Sequence, residues 1–268
     1  LEGETGFCRA GGNAVISGAT PHFGEEDVLV GSRGSGTIFF TYCTLGCVFC
    51  QNFELSHEGE GREVTAGELA AIMVRLQARG CHNINLVSPT HYMPQILAAL
   101  DIAAGEGLRI PLVYNTSGYE SLAALRMLDG IVDIYMPDMK FTDEEQALKY
   151  ANARGYPRVV KAALKEMHRQ VGDLSLDERG IAYRGVLVRH LVLPGGLAGT
   201  REAMRFLARE ISKDTYVNIM AQYHPCYRAG EFPPLDRPVT RAEHREALNI
   251  TIDEGITRID GMVLRPSD

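Results

Sequence analysis

The chain has 268 residues, 45% of them hydrophobic and 23% charged, with a net charge of −7. This is the make-up of an ordinary globular protein, and it excludes disorder, collagen-like repeats or a coiled coil as the whole answer. The acidic balance argues against a nucleic-acid or anionic-membrane partner, either of which wants a basic surface. No apolar run approaches the roughly 18–20 residues of a membrane span. The start, Leu1-Glu2-Gly3-Glu4, is acidic, lacks a methionine and has no signal-peptide pattern, so a fragment or processed product in a cytoplasmic setting is expected.

Residues 1–36 are rich in glycine and are expected to form an N-terminal extension to one main domain over 37–268. Residues 37–42 are β-rich and read as the first strand. Leu69, Ile72, Met73 and Leu76 then recur at helical spacing, with Thr65 as N-cap and Gly80 as stop. Residues 83–88 read as strand, 94–104 as helix, 111–114 as strand, 121–128 as helix and 132–136 as strand. Thr142 is expected to cap a helix with Glu144 and Glu145 in its first turn, where the helix dipole favours carboxylates. A further helix starts at Pro157. Residues 185–193 form a strand, 200–210 a helix and 216–221 a strand, and Thr240 caps a last helix to about residue 253.

About six strand–helix units in alternation predict an α/β fold with a mainly parallel sheet covered by helices. Eight units would close a barrel, and six predict an incomplete one. In such folds the chemistry sits at the carboxyl ends of the strands.

Six cysteines are too few for a disulfide scaffold, but three of them fall within eight residues. Cys43-Thr44-Leu45-Gly46-Cys47-Val48-Phe49-Cys50, a C-x3-C-x2-C pattern, directly follows the first strand. Three thiolates on one loop hold three irons of a cubane cluster and leave the fourth iron open to an outside molecule. Gly46 is expected to let the loop turn tightly. The alternatives are a zinc site completed by His57, or three structural thiols.

The motif resembles that of the radical S-adenosylmethionine (SAM) superfamily in spacing, in position after strand one and in the aromatic Phe49 before the last cysteine. The resemblance implies a partial (β/α)6 barrel, a [4Fe–4S] cluster on Cys43, Cys47 and Cys50, and SAM as cofactor. It extends to Gly34-Ser35-Gly36-Thr37-Ile38-Phe39-Phe40, Gln51-Asn52 and His22-Phe23-Gly24-Glu25-Glu26, which are similar to a branch related to pyruvate formate-lyase activating enzymes. Gly3-Glu4-Thr5-Gly6-Phe7-Cys8 resembles the tail of that branch's cysteine-rich opener. Cys8 is then either the remaining ligand of a second metal site or a free thiol.

By the same resemblance, the methionine amine and carboxylate of SAM chelate the open iron. One electron, from a reduced flavodoxin- or ferredoxin-type donor, cleaves the C–S bond, and a 5′-deoxyadenosyl radical abstracts hydrogen from the substrate. Val87-Ser88-Pro89-Thr90-His91 stands where the superfamily has Gly-Gly-Glu; Ser88, Thr90 and backbone carbonyls would accept from the amine in its place. The other reading is a proline turn, with His91 structural. Asn115-Thr116-Ser117-Gly118 resembles the activating enzymes' Asp-Thr-Asn-Gly and implies contacts to the ribose or carboxylate. Asp138-Met139-Lys140 resembles their Asp-x-Lys, with Lys140 on the methionine carboxylate.

Arg189 and His190 interrupt an apolar strand and need partners. They cannot both face the barrel interior, and the resemblance favours Arg189 as an anion clamp. His224, in Tyr223-His224-Pro225, is implied to lie near the adenosine. Cys226 is a candidate hydrogen-atom donor or an inert thiol, and Cys81 reads as structural. Arg154, Arg158, Lys161, Lys165 and Arg169 read as a solvated helix face or a docking surface. The function implied is an oxidoreductase that activates a glycyl-radical-type protein partner. The alternatives are radical modification of a peptide or small molecule, and a non-enzymatic metal-binding or electron-transfer module.

Overall fold

The computed structural model describes residues 7–262. Six strands form a parallel sheet in the order β2 (Ser35–Phe40), β4 (Ile84–Val87), β5 (Leu112–Thr116), β6 (Ile134–Pro137), β8 (Ala182–Leu191) and β9 (Tyr216–Met220). The expected six-unit partial barrel is therefore present. Three antiparallel strands extend it. β1 (Ala14–His22) runs along β2, β3 (Arg62–Val64) runs along β1, and β7 (Ser175–Leu176) runs along the start of β8. Among the described residues β3 pairs only with β1 and β9 only with β8, apart from single bridges, so the sheet does not close.

Side chains alternate across each strand. One face, carrying Ile38, Leu86, Tyr114, Tyr135 and Val188, is fully buried beneath the helices. These are α2 (Ala66–Ala78), α3 (Met93–Gly105), α4 (Leu122–Met127), α5 (Glu144–Ala151), α6 (Tyr156–Val171), α7 (Thr200–Phe206) and α8 (Arg241–Asp253). The other face lines the barrel interior. Its floor is plugged by the one-turn helix α1 (Asp27–Val30), whose Leu29 clusters with Val113, Ile134, Met136 and Leu187. Residues 14–35 thus pack with the barrel, as a strand between β2 and β3 and as a plug.

Local signals act where expected at most helix starts. Thr65 and Glu68 form a reciprocal capping box on α2, and Thr240 and Glu243 do the same on α8. At α5 the cap is Asp143 rather than Thr142. Asp143 has the extended backbone that an N-cap needs and its carboxylate accepts from Gln146 N–H, while Thr142 turns toward the Gly199 carbonyl. The helix expected over 200–210 stays α-helical to Phe206 and then widens into a π turn over Leu207–Ile211. No helix among the described residues is long and apolar enough to cross a membrane.

Candidate active site

The first strand ends earlier than expected because Tyr42 adopts φ 67°, a left-handed conformation that turns the chain into the cysteine loop. Backbone bonds then pin that loop from outside. Gly46 N–H donates to the Ala151 carbonyl at 2.8 Å, Val48 N–H to Tyr150 at 2.9 Å, and Arg228 N–H to the Val48 carbonyl at 2.9 Å. Gly46 serves close approach rather than an unusual φ, since a Cβ there would lie 3.3 Å from Asn152 Cβ. Phe49 is buried edge-on against Phe141 and Tyr223, with ring centroids 6.1 and 5.9 Å away, and fixes the loop from below.

Cys47 is buried and Cys43 and Cys50 are partly exposed. Burial pushes the Cys43 and Cys47 thiols up, while the Lys140 cation and, at Cys43, the Leu45 N–H at 3.4 Å pull the other way. Cys50 Sγ lies 3.1 Å from Ser56 Oγ. His57 is engaged elsewhere: its Nε2 is 3.2 Å from the Cys47 carbonyl and its ring stacks on Tyr227. Cys8 lies with Cys43 and His57 along one surface cavity.

The ends of β4, β5 and β6 stand side by side. Ser88 has φ 58° and donates its N–H to the Asn115 carbonyl at 2.9 Å. Asn115 is buried on the interior face. Thr116, one residue on, points the opposite way, and its hydroxyl meets Glu120 together with that of Thr90, 2.6 Å from Glu120 Oε1. Thr90 and Thr116 thus lie behind the strand ends. Ser117 Oγ accepts from Tyr119 N–H at 3.4 Å. Gly118 has φ 75°, and a Cβ there would strike the Asp138 carbonyl at 2.6 Å, so this glycine lets the β5 loop pass against the β6 loop.

Lys140 Nζ pairs with Asp138 Oδ2 at 2.5 Å. Burial alone would lower the Lys140 pKa, but Asp138 and the neighbouring Cys47 outweigh it and raise it, so the lysine is a fixed cation beside the cysteine loop. Tyr156, buried at the start of α6, ties this corner together. Its hydroxyl accepts from Lys140 N–H at 3.0 Å and faces the Ser117 and Asp138 carbonyls at 2.9 and 3.0 Å.

Arg189 faces the interior and His190 faces the helices. The Arg189 guanidinium clamps carboxylates, but they are the chain's own. Nε and Nη2 grip Glu26 at 2.7 and 2.6 Å, Nη2 also meets Glu25, and Asn218 adds a bond to Glu26 at 2.8 Å. Burial acts to raise Glu26, yet the arginine and Asn218 hold it below the ordinary carboxylate value. His190 lies between the Met139 carbonyl at 2.7 Å and Thr200 Oγ1 at 3.0 Å, and burial lowers it to about 4.

His224 is exposed, 3.3 Å from Gln51 Nε2, so the cysteine loop touches the end of β9. The Cys226 carbonyl opens a turn to Ala229, and its thiol is partly exposed. His91 Nε2 lies 2.9 Å from the Thr41 carbonyl, and Cys81 is buried before β4. Lys165 and Arg169 are paired with Glu210, and with Glu166 and Asp129.

Four contributions escaped the sequence reading: the pairing of Glu25 and Glu26 with Arg189, and the roles of Glu120, Tyr156 and Asn85. The glutamates follow a glycine-rich stretch, and Tyr156 precedes a helix-starting proline; neither setting signals a partner so distant in sequence. Asn85, mid-strand in β4, is fully buried with neither amide atom partnered. A lone polar residue inside an apolar strand was its available signal.

A model of the radical SAM superfamily matches residues 37–207, from within β2 to the end of α7. The chain belongs to the radical SAM superfamily. It is also 31% identical over 259 residues to the uncharacterized protein MJ0674 of Methanocaldococcus jannaschii, over 93% of this chain and 70% of that one. Its fold is similar to that of HydG, a maturase of the [FeFe]-hydrogenase, with TM-score 0.56 and 13% identity. The match covers 83% of this chain and 49% of HydG, so the chain spans about half of that protein's length.

Radical SAM enzymes use a [4Fe–4S] cluster and SAM, and the residues present fit both. The fit to a cluster lies in the donor set, three thiols on one pinned loop beside the half-buried Lys140 cation, whose charge pulls Cys43 and Cys47 toward their thiolate forms. The fit to SAM lies in an interior amide at Asn115 and that same lysine, at neighbouring strand ends.

Proposed function

We propose that this radical SAM enzyme takes a hydrogen atom from a protein or peptide, with the glycine Cα–H of a glycyl-radical-type partner as its leading target, in the manner of pyruvate formate-lyase activating enzymes. Cys43, Cys47 and Cys50 hold the cluster. When bound, cluster and SAM together supply one-electron cleavage of the sulfonium C–S bond and hence a 5′-deoxyadenosyl radical.

The chain's own residues bind, orient and exclude water. Lys140, held by Asp138, offers a cation to the methionine carboxylate. Asn115 and Ser117 offer hydrogen bonds at the end of β5. The Ser88–Thr90 turn presents carbonyls to the amine. Gln51 and His224 join the cysteine loop to the end of β9 on the adenosine side. Phe49, Phe141 and Tyr223 keep the underside of the loop dry. The electron comes from a reduced flavodoxin- or ferredoxin-type donor.

The observation that carries the protein-substrate reading is the unclosed sheet: a barrel whose end strands are unpaired to each other admits an extended segment from the side. A small polar substrate is the second reading, favoured by the unpartnered amide of Asn85 on the interior face. The test is anaerobic reconstitution and reduction with SAM, followed by fractions of cells grown on α-deuterated glycine. Deuterium in 5′-deoxyadenosine from the macromolecular fraction supports the first reading. Turnover only with the small-molecule fraction overturns it in favour of the second.

A further inference from the structure

Glu120 lies in the loop between β5 and α4 and is only 4% exposed. Both hydroxyls that reach it, Thr90 Oγ1 at 2.6 Å and Thr116 Oγ1, donate to the same oxygen, Oε1. Thr116 Oγ1 in turn accepts from Gly118 N–H at 3.3 Å, and Glu120 N–H donates to the Gly118 carbonyl at 3.0 Å. Oε2 is buried with no partner, as is the nearby Tyr114 hydroxyl. An acid without a cation is costly in such a place. An apolar side chain would fill the space at less cost, so the carboxyl needs a reason beyond packing.

The strand pleat supplies one. Asn115 points into the barrel, so Thr116 must point behind it. The turn after β4, through Thr90, and the last residue of β5, Thr116, each send a hydroxyl to one carboxyl oxygen of Glu120 on the loop after β5. We infer that Glu120 is a positioning residue for the cofactor: it locks these two loops together from behind, so that Ser88 and Asn115 present one continuous surface to SAM. This rests on the reading above that both loops contact SAM.

The protonation state follows from the surroundings. Burial raises the Glu120 pKa to about 7, against the pull of the Thr116 and Thr90 hydroxyls. The acid proton belongs on Oε2, the oxygen that receives none. Tyr114 on β5 and Tyr135 on β6 face this group, and burial pushes both phenols up, so they stay neutral. His91, next to Thr90, is turned to the Thr41 carbonyl. Glu120 is therefore the group here that changes charge near neutrality, and its ionisation leaves Oε2 buried, charged and unpaired.

The experiment compares wild type, Glu120→Gln and Glu120→Leu, with Asn115→Ala and Lys140→Ala as probes of the direct contacts. SAM affinity is read from the spectral change of the reduced, reconstituted cluster, alongside iron content. Amide exchange of residues 88–92 and 115–119 is measured in the protein without cluster. Glu120→Leu is expected to weaken SAM binding at least about tenfold, the low end of losses for outer-shell partners. It should speed exchange in both segments at unchanged iron content.

Glu120→Gln keeps an acceptor for both threonines and is expected within about threefold of wild type at pH 6. The affinity ratio of Glu120→Gln to wild type should then rise through pH 7, because the glutamine does not ionise. Unchanged affinity in Glu120→Leu while Asn115→Ala and Lys140→Ala weaken binding overturns the inference alone. Unchanged affinity in those two variants overturns the site reading and the inference with it. A pH-independent ratio overturns the assignment of the proton to Glu120.

Discussion

Replacing Arg189 with methionine tests whether the N-terminal plug is held by an ion pair buried in the barrel. The side chains of Glu25 and Glu26 are 8% and 1% exposed, and Arg189 is the cation that both meet. Methionine keeps an unbranched apolar stem and removes the charge. Deleting one partner of a buried pair typically costs about 3–5 kcal/mol, because the other charge stays buried and uncompensated. For 268 residues the unfolding entropy is roughly 0.56 kcal/mol/K. A loss of about 4 kcal/mol therefore lowers Tm by about 7 °C.

The pH dependence carries a sign. Glu26 is depressed in the folded wild type, so its contribution is full above the ordinary value of 4.5 and fades as pH falls through its folded value. Without the arginine, burial dominates and the same carboxyl is raised. The deficit of Arg189→Met against wild type should be largest near pH 8 and shrink toward pH 5, as the orphaned Glu26 takes up a proton. Thermal and urea unfolding at pH 5, 6.5 and 8 measure this. Adding Glu26→Gln to Arg189→Met should recover part of the loss at pH 8. A deficit under about 1 kcal/mol, or one that does not vary with pH, would refute the reasoning and place the pair among ion pairs of negligible net worth.

Three further outcomes are expected. Cys47→Ala should lose cluster iron and all SAM-dependent 5′-deoxyadenosine, while a chain whose three thiols are merely structural would keep its metal content; iron analysis and a product assay distinguish these. Tyr156→Phe should cost about 1–3 kcal/mol in urea unfolding and weaken SAM binding, since the Lys140 N–H and the Ser117 and Asp138 carbonyls lose a shared partner; retained stability would show that water replaces the hydroxyl. Glu120→Gln should gain on wild type as pH rises from 5 to 8. The folded Glu120 pKa of about 7 exceeds the ordinary 4.5, so wild type loses up to about 3 kcal/mol across that window and the glutamine loses none; parallel stability curves would refute it.

The sequence made the parallel core, the helix caps at Thr65 and Thr240 and the cysteine loop legible, because each is written locally. A period of two or of 3.6, a capping box and a C-x3-C-x2-C spacing all lie within a few residues. What was not legible depends on partners far apart in sequence. β1 has Gly18 and Pro21 within it and is set by pairing with β2 rather than by its own composition. Arg189 faces the interior, and the partners its guanidinium clamps lie 163 and 164 residues away, so nothing local to β8 points to the plug. Tyr156 and Glu120 were invisible for the same reason.

These two hidden residues couple the strand ends of the proposed site, where the superfamily's glycine-pair segment is poorly matched. The loop after β4 has neither the glycine pair nor the acid of that segment. An acid is nonetheless present, delivered from the β5 loop by Glu120 and joined to the β4 loop through Thr90. On the other side, Tyr156 joins the β5 loop to the Asp138–Lys140 turn. Three successive strand ends are therefore coupled pairwise from the helix side, while Asn115 faces the barrel interior and Lys140 lies beside the cysteine loop. The pleat makes this division unavoidable. At each strand end one residue can face the cofactor only if its neighbour faces the helices, and the neighbour is free to hold the next loop in place. Residues of the first kind are found by motif, and residues of the second kind by the contacts they make.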